Sequence, residues 1–266
     1  MTVRLAQTVG IEKTVEYAKK FGISDNLMPV LSMSLGSGET TLLKLTLAYG
    51  MLVNGGKRIT PNLIDRIQDR TGKTIYKHDT RPCPNCNGEN ATSAQVPLIE
   101  DTREQIQDPI SAYQMVNIMT GVVERGTGKI AQTVKRTLAG KSGTSNDSFD
   151  TWFIGFSPDL VVGVFVGFDT PQTLGPHDTG SVVAAPIFRD FMLAALKDKP
   201  DIPFRIPEGV RMVRVDAKTG KPAKVGSKDA IWEAFRKETD VNAQTPVIGQ
   251  DVIMTPEEEP DLGGLY

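Results

Sequence analysis

Two short apolar segments joined by a brief polar link, residues 138–145 and 151–156, constrain this chain most. They read Leu-Ala-Gly-Lys-Ser-Gly-Thr-Ser and Thr-Trp-Phe-Ile-Gly-Phe, and the short link predicts that they pair as antiparallel strands. Gly143 carries no Cβ, so a ligand can approach the strand closely at that point. Lys141 supplies positive charge, and the hydroxyls of Ser142 and Thr144 can hold a carboxylate. The sequence therefore predicts a strand edge that binds an anion.

Further segments of the chain follow the pattern of one protein family. They are residues 2–23, 35–39, 48–50, 54–56 and 122–128. Together with the Lys-Ser-Gly strand, they resemble the transpeptidase half of the bifunctional class A penicillin-binding proteins, in which Lys-Ser/Thr-Gly is the third motif of a serine acyltransferase. The resemblance covers nearly the whole chain. It implies an α+β fold of the penicillin-binding and serine β-lactamase type, an antiparallel sheet with packed helices.

The resemblance also implies roles for the residues of this strand. Lys141 would hold a relay serine and raise the local positive potential, and Ser142 and Thr144 would bind the carboxylate of a donor peptide or of a β-lactam. The backbone N–H of Thr144 would be one oxyanion-hole donor, which makes Lys141 and Thr144 the expected catalytic residues. Gly143 and Ser145 complete the expected substrate-binding set.

The activity implied by the resemblance is peptidoglycan cross-linking by acyl transfer through a serine ester. The expected partners are peptidoglycan stem peptides and β-lactam antibiotics, and no metal or organic cofactor is expected. The expected location is the periplasmic side of the inner membrane, with a membrane-anchored parent protein. A formal net charge of −2 without a basic run gives no indication of nucleic-acid binding.

One part of the family pattern is missing from this sequence. No Ser-x-x-Lys, the motif that carries the nucleophile, occurs among the 266 residues. We therefore expect an N-terminally truncated domain that is inactive alone. Two alternatives stay open: a non-catalytic peptide- or β-lactam-binding module, and a class A β-lactamase-like hydrolase that uses Ser24, Asp25 and Asn26, a match to that family's Ser-Asp-Asn. The simpler interpretation of these three residues is a polar turn between helices.

Two other motifs invite a function and have a simpler explanation. Lys218-Thr219-Gly220 repeats the Lys-Thr-Gly pattern literally, but Lys221 and Pro222 follow, and proline there favours a turn over an active-site strand. Cys83 and Cys86 have C-x-x-C spacing, yet the chain has only two histidines and no second cysteine pair, so a four-ligand zinc site is not expected. A local disulfide and two free thiols both remain open for this pair.

Periodicity and turn residues predict the remaining elements. We expect helices over 40–54, 108–125 and 186–197, and strands over 137–144, 151–157 and 160–168. The second helix should open with Asp108 as its cap and Pro109 at the first helical position. Hairpins are expected within 63–78 and from Val210, the second with its turn at 218–221. The predicted organisation is a partial transpeptidase domain over 1–200 with an insertion at about 79–106, a hairpin and helix extension over 201–245, and an acidic disordered tail over 246–266.

Overall fold

The computed structural model describes residues 1–82 and 99–241. Its α-helices are α1 Thr2–Val9, α2 Ile11–Lys20, α3 Leu42–Val53, α4 Pro109–Glu124 and α5 Ala184–Ala195. Its strands are β1 Arg66–Gln68, β2 Thr74–Lys77, β3 Ala139–Thr144, β4 Thr151–Phe156, β5 Val161–Val166, β6 Val210–Asp216 and β7 Ala230–Arg236. Short 3-10 helices cover Leu31–Leu35, Lys129–Val134 and Asn146–Ser148. The α+β prediction is confirmed.

The central sheet has three antiparallel strands in the order β3-β4-β5, as the short turns predicted. Ala139 pairs with Phe156 and Thr144 with Thr151, so β3 and β4 match along their whole length. β3 has a neighbour on one side only, and its other edge is open within the described part of the chain.

Apolar layers cover both faces of this sheet. On one face, Phe153 of β4 stacks on Phe188 of α5 with ring centroids 4.9 Å apart, and both side chains are fully buried. On the other face, Phe156 packs with Val116 and Met119 of α4. Because successive side chains in a strand point to opposite faces, one strand serves both layers.

Side-chain caps open both α3 and α4, and the cap of α4 at Asp108 is the predicted one. Thr41 accepts a hydrogen bond from the Lys44 N–H, and Asp108 accepts one from the Ser111 N–H; each satisfies a donor that the first turn leaves unpaired. Pro109 follows Asp108 at a position where its missing N–H costs nothing. Helix α5 begins at Ala184, two residues before the predicted start.

The two hairpins differ from each other in how closely they follow prediction. β1 and β2 pair around a turn in which Asp69 Oδ1 accepts from the N–H groups of Thr71 and Lys73. β6 is followed by the predicted turn, where the Asp216 N–H donates to the Lys221 carbonyl. Its partner β7 starts only at Ala230, so the connection is longer than expected. The described residues 201–241 contain this hairpin and no α-helix, so the helix expected in that extension is not found there.

Part of the predicted insertion belongs to the fold. Ile106 is only 1% exposed, its N–H donates to the Gly56 carbonyl, and Gln105 bridges to Lys57. The last residues of the predicted insertion at about 79–106 thus pair with the segment after α3, and the insertion itself stays a prediction. Residues 83–98, with Cys83 and Cys86, and the predicted acidic tail lie outside the described residues.

Candidate active site on strand β3

The four residues of the Lys-Ser-Gly-Thr motif alternate between the faces of the sheet at its open edge. Ser142 pairs with Phe153 and Thr144 with Thr151, so their hydroxyls lie on the face that α5 covers. Lys141 pairs with Ile154 and Gly143 with Trp152, which places them on the face of α3 and α4. The predicted polar strand therefore has two different faces: one carries the hydroxyls of Ser142 and Thr144, and the other carries Lys141.

Ser142 is held by a hydroxyl from the segment that follows α4. Its Oγ lies 2.8 Å from the Thr127 Oγ1, and either atom can donate. Thr127 reaches this position because the chain turns tightly around it: a Cβ at Gly126 would crowd Val122, and one at Gly128 would crowd the ring of Phe153. Two hydroxyls in one bond use one hydrogen, so the pair keeps a second hydrogen for a ligand.

Thr144 is held by a backbone group from the loop before α5. The Gly180 N–H donates to Thr144 Oγ1 at 3.0 Å. Thr144 itself is exposed, whereas Gly180 is buried. The hydroxyl of Thr144 is therefore held by the buried Gly180 N–H and remains accessible to a ligand from the solvent side.

Lys141 is exposed and turns back along the strand. Its Nζ donates to the Ser142 carbonyl at 2.7 Å, and within residues 1–82 and 99–241 it forms no ion pair with a carboxylate. Its positive charge is thus available to an anion at the strand edge.

Gly143 has a local packing reason in addition to the predicted close approach of a ligand. A Cβ at this position would lie 3.3 Å from the Cβ of Trp152, and Trp152 already packs against Phe165 at 4.7 Å between centroids. The glycine therefore leaves room for this aromatic pair across the strands.

Ser145 closes the β3–β4 turn. Its N–H donates to the Asp150 carbonyl at 3.0 Å, and its Oγ accepts from the Asp150 N–H at 2.7 Å. Inside the turn, Asp147 and Ser148 both have positive φ angles of about 55°, which non-glycine residues rarely adopt. Its contacts give Ser145 a structural role, and its substrate-binding role stays a prediction.

The competing motifs occupy turns. Lys218 and Thr219 donate their N–H groups to Asp216 Oδ1, and the Lys218 side chain is 80% exposed and pairs with Asp229 at 3.4 Å. The Ser24 Oγ accepts from the Asn26 N–H at 3.4 Å, in the connection after α2. Both motifs match the turn interpretation of the sequence.

Thr127 and Gly180 are the two contact residues that sequence reasoning missed. Thr127 lies in the segment 122–128 that contributed to the resemblance, but nothing local assigned its hydroxyl to Ser142. Gly180 is 36 residues from Thr144, and no spacing rule connects them.

Comparison with known proteins agrees with this geometry. Residues 1–193 match the family described as penicillin binding protein transpeptidase domain, which is more than half of the chain. The chain belongs to the penicillin-binding protein transpeptidase family.

Members of this family from several bacteria are similar to the chain. It is 48% identical to penicillin-binding protein 1A of Rickettsia bellii over 238 residues, which cover 89% of this chain and 30% of that protein. It is 35% identical to penicillin-binding protein 1A of Pseudomonas aeruginosa, over 90% of this chain and 33% of that protein. The chain thus spans about a third of the length of these relatives.

A solved structure supports the same fold. Penicillin-binding protein 1A of Haemophilus influenzae is 27% identical, with a TM-score of 0.76 over 92% of this chain and 39% of that one. Among the described residues of this penicillin-binding transpeptidase chain, no helix is both long and apolar enough to cross a bilayer.

Proposed function

We propose that this chain is the C-terminal part of a transpeptidase domain that cross-links peptidoglycan stem peptides and binds β-lactams. The observation that carries the proposal is the open edge of β3, where the hydroxyls of Ser142 and Thr144 share one face. Lys141 starts from the opposite face, turns its Nζ to the Ser142 carbonyl, and forms no ion pair with a carboxylate among the described residues. Two hydroxyl donors and a cation suit the terminal carboxylate of a peptide. A β-lactam that carries a carboxylate offers the same group.

The residues of β3 take distinct parts in the proposed reaction. Ser142 and Thr144 bind the donor carboxylate, and Lys141 adds positive potential and holds a relay serine. The Thr144 N–H supports the oxyanion of the tetrahedral intermediate. Gly143 keeps the strand narrow where the substrate lies.

The proposed chemistry is a double displacement. A serine oxygen attacks the carbonyl of the penultimate D-alanine, the peptide bond breaks, and terminal D-alanine leaves with the proton that the serine gave up. The amine of a neighbouring stem then attacks the ester, which forms the cross-link and releases the serine. With a β-lactam, the ring amide opens instead and the ester stays.

The nucleophile of this reaction is not among these residues, since no Ser-x-x-Lys occurs in the sequence. We therefore expect no acylation of this chain alone. The periplasmic side of the inner membrane and a membrane-anchored parent follow from the same assignment as proposals, as does the division into a domain over 1–200 and an extension beyond it.

Labelling with a fluorescent penicillin tests the proposal. The chain alone should give no covalent adduct by mass spectrometry. A fusion behind the segment with the family's Ser-x-x-Lys motif, taken from the Rickettsia bellii relative, should give a one-to-one adduct. The matched control is the same fusion with the serine of that motif replaced by alanine, which should give none. An adduct on the unfused chain, or none on a folded fusion, would reject the assignment.

The hydrolase alternative has no support in the contacts of its candidate motif. Ser24 and Asn26 bond to each other within a turn, and Ile23 beside them accepts from the Thr40 hydroxyl at 2.6 Å. These hydrogen bonds stabilise the connection after α2, and none of them brings Ser24, Asp25 or Asn26 to β3.

A further inference from the structure

The loop before α5 approaches β3 more closely than a side chain allows. A Cβ at Gly180 would clash with the carbonyl oxygens of both Gly143 and Trp152. Gly180 is not among the residues with positive φ, so its backbone conformation is open to any residue. Glycine is therefore required here because no side chain fits between the backbone of residue 180 and the paired strands β3 and β4.

Gly180 is anchored from the core side. Its carbonyl accepts from the Ala185 N–H at 2.9 Å, in the first turn of α5. Ala184, Ala185 and Phe188 of that turn and the next are fully buried. A helix fixed in this way holds the Gly180 peptide in place, and with it the N–H that faces Thr144.

The direction of the Gly180–Thr144 bond determines what the hydroxyl can do. A backbone N–H can only donate, so Thr144 Oγ1 must accept there, and its single hydrogen is left for another partner. In the described part of the chain, no hydrogen bond uses that hydrogen. Thr144 is therefore set as a donor toward the open edge.

A second hydroxyl hydrogen lies on the same face. The Thr127–Ser142 pair uses one of its two hydrogens and offers the other. Residues 142 and 144 are roughly 6.6 Å apart along the strand, a distance that one carboxylate can bridge with a hydrogen bond of about 2.7 Å at each end. A carboxylate presents two acceptor oxygens to these donors, whereas a carboxamide presents one oxygen and an NH₂ group that cannot accept.

We propose that Gly180 is a positioning residue for Thr144: its N–H fixes the hydroxyl as a donor and so makes the strand edge select a terminal carboxylate over a terminal carboxamide. The inference rests on the proposed function, since it concerns the group that ends the donor peptide. It adds a residue from the loop before α5 to the recognition of that group.

The test measures binding of a D-alanyl-D-alanine peptide and of its C-terminal carboxamide to this chain by NMR titration. The unaltered chain should bind the acid more tightly. Gly180→Ala, which displaces the loop, and Thr144→Val, which keeps the shape and removes the hydroxyl, should each weaken acid binding about tenfold, the effect of losing a hydrogen bond to a charged group. Amide binding should change little, so the acid-to-amide ratio falls.

Two variants control for damage to the fold. Thr144→Ser keeps the hydroxyl and should keep the ratio. Ser181→Ala removes the neighbouring hydroxyl that bonds to Thr179 at 2.7 Å and should also keep it. Without any ligand, the Gly180 amide should exchange its hydrogen faster in Thr144→Val and at the original rate in Thr144→Ser.

An unchanged ratio in folded Thr144→Val would overturn the inference, and so would an unaltered chain that does not prefer the acid. If Gly180→Ala does not fold, Thr144→Val and the amide exchange still decide. Failure here is separable from failure of the proposed function, because acylation of the fusion is measured independently of the acid-to-amide ratio.

Discussion

The chain contains two Lys-hydroxyl-Gly tripeptides, and the structure places them in opposite environments. Lys141-Ser142-Gly143 lies on β3, whose sheet is packed on both faces. Lys218-Thr219-Gly220 lies in a turn after β6, where Asp216 Oδ1 gathers the N–H groups of Lys218 and Thr219. The tripeptide that repeats Lys-Thr-Gly literally, Lys218-Thr219-Gly220, is thus the one that lies in a turn and not on a packed strand. The proposed anion site therefore depends on a rigid strand that fixes the direction of its side chains, and not on the tripeptide sequence alone.

The same contrast holds for the two sheets that carry these motifs. β3, β4 and β5 lie between α5 on one side and α3 with α4 on the other. β6 and β7 pack on α4 through Gln114, whose side chain donates to the Ala234 carbonyl at 2.9 Å, while Trp232 stays 59% exposed. We expect the first sheet to depend on its aromatic core far more than the second.

The largest expected effect is therefore on the core behind β3. Phe188→Ala should destabilise the chain by about 3–5 kcal/mol, because it leaves a cavity against Phe153. Trp232→Ala should cost less than about 1 kcal/mol, since most of that ring already contacts water. Urea denaturation of both variants measures the difference. Equal losses would show that the two sheets contribute alike and would remove the contrast.

A smaller effect is expected at Asp108, which links the two regions. It caps α4 and pairs with Arg236 of β7. Asp108→Ala should cost about 1 kcal/mol through the lost cap, and Asp108→Asn should cost less because asparagine also caps. Thermal melts of the two variants would contradict this if asparagine were no better than alanine.

The same residue predicts a pH dependence. The hydrogen bond from the Ser111 N–H, with the Ser111 hydroxyl and Arg236, holds the pKa of Asp108 below its ordinary value. Its stabilisation is present above the unfolded-state pKa of about 3.9 and is lost as pH falls through the lowered folded value. Asp108→Asn should remove this part of the acid sensitivity, as measured by the unfolding free energy between neutral and acidic pH.

Sequence reasoning succeeded where the determining contacts are local. Asp108 and Pro109 set the start of α4, and the short turns set the order of β3, β4 and β5. The apolar pattern over 186–197 predicts a helix that starts at Pro186. The helix begins at Ala184 because Pro186 falls within the first turn, where its missing N–H still costs no intrahelical bond.

The remaining misses are contacts between distant parts of the chain. The N–H of Ile106 bonds to the Gly56 carbonyl, 50 residues away, and no local pattern indicated this contact. No local sequence pattern pointed to Gly180. A side chain there would clash with Gly143 and Trp152, and this requirement exists only once the loop before α5 packs against β3. The proposed anion-binding residues could be predicted from their chemistry, whereas the groups that orient them come from tertiary packing.

The acylation rates of Lys141→Ala and Lys218→Ala in the penicillin-reactive fusion test the central claim most directly. We expect Lys141→Ala to slow acylation by on the order of a hundredfold or more, because it removes an electrostatic group that acts on the transition state. Its melting temperature should stay close to that of the unaltered fusion, since Lys141 is exposed. Lys218→Ala should acylate at the original rate. Equal losses at the two lysines, or none at Lys141, would contradict the assignment of β3 as the active-site strand.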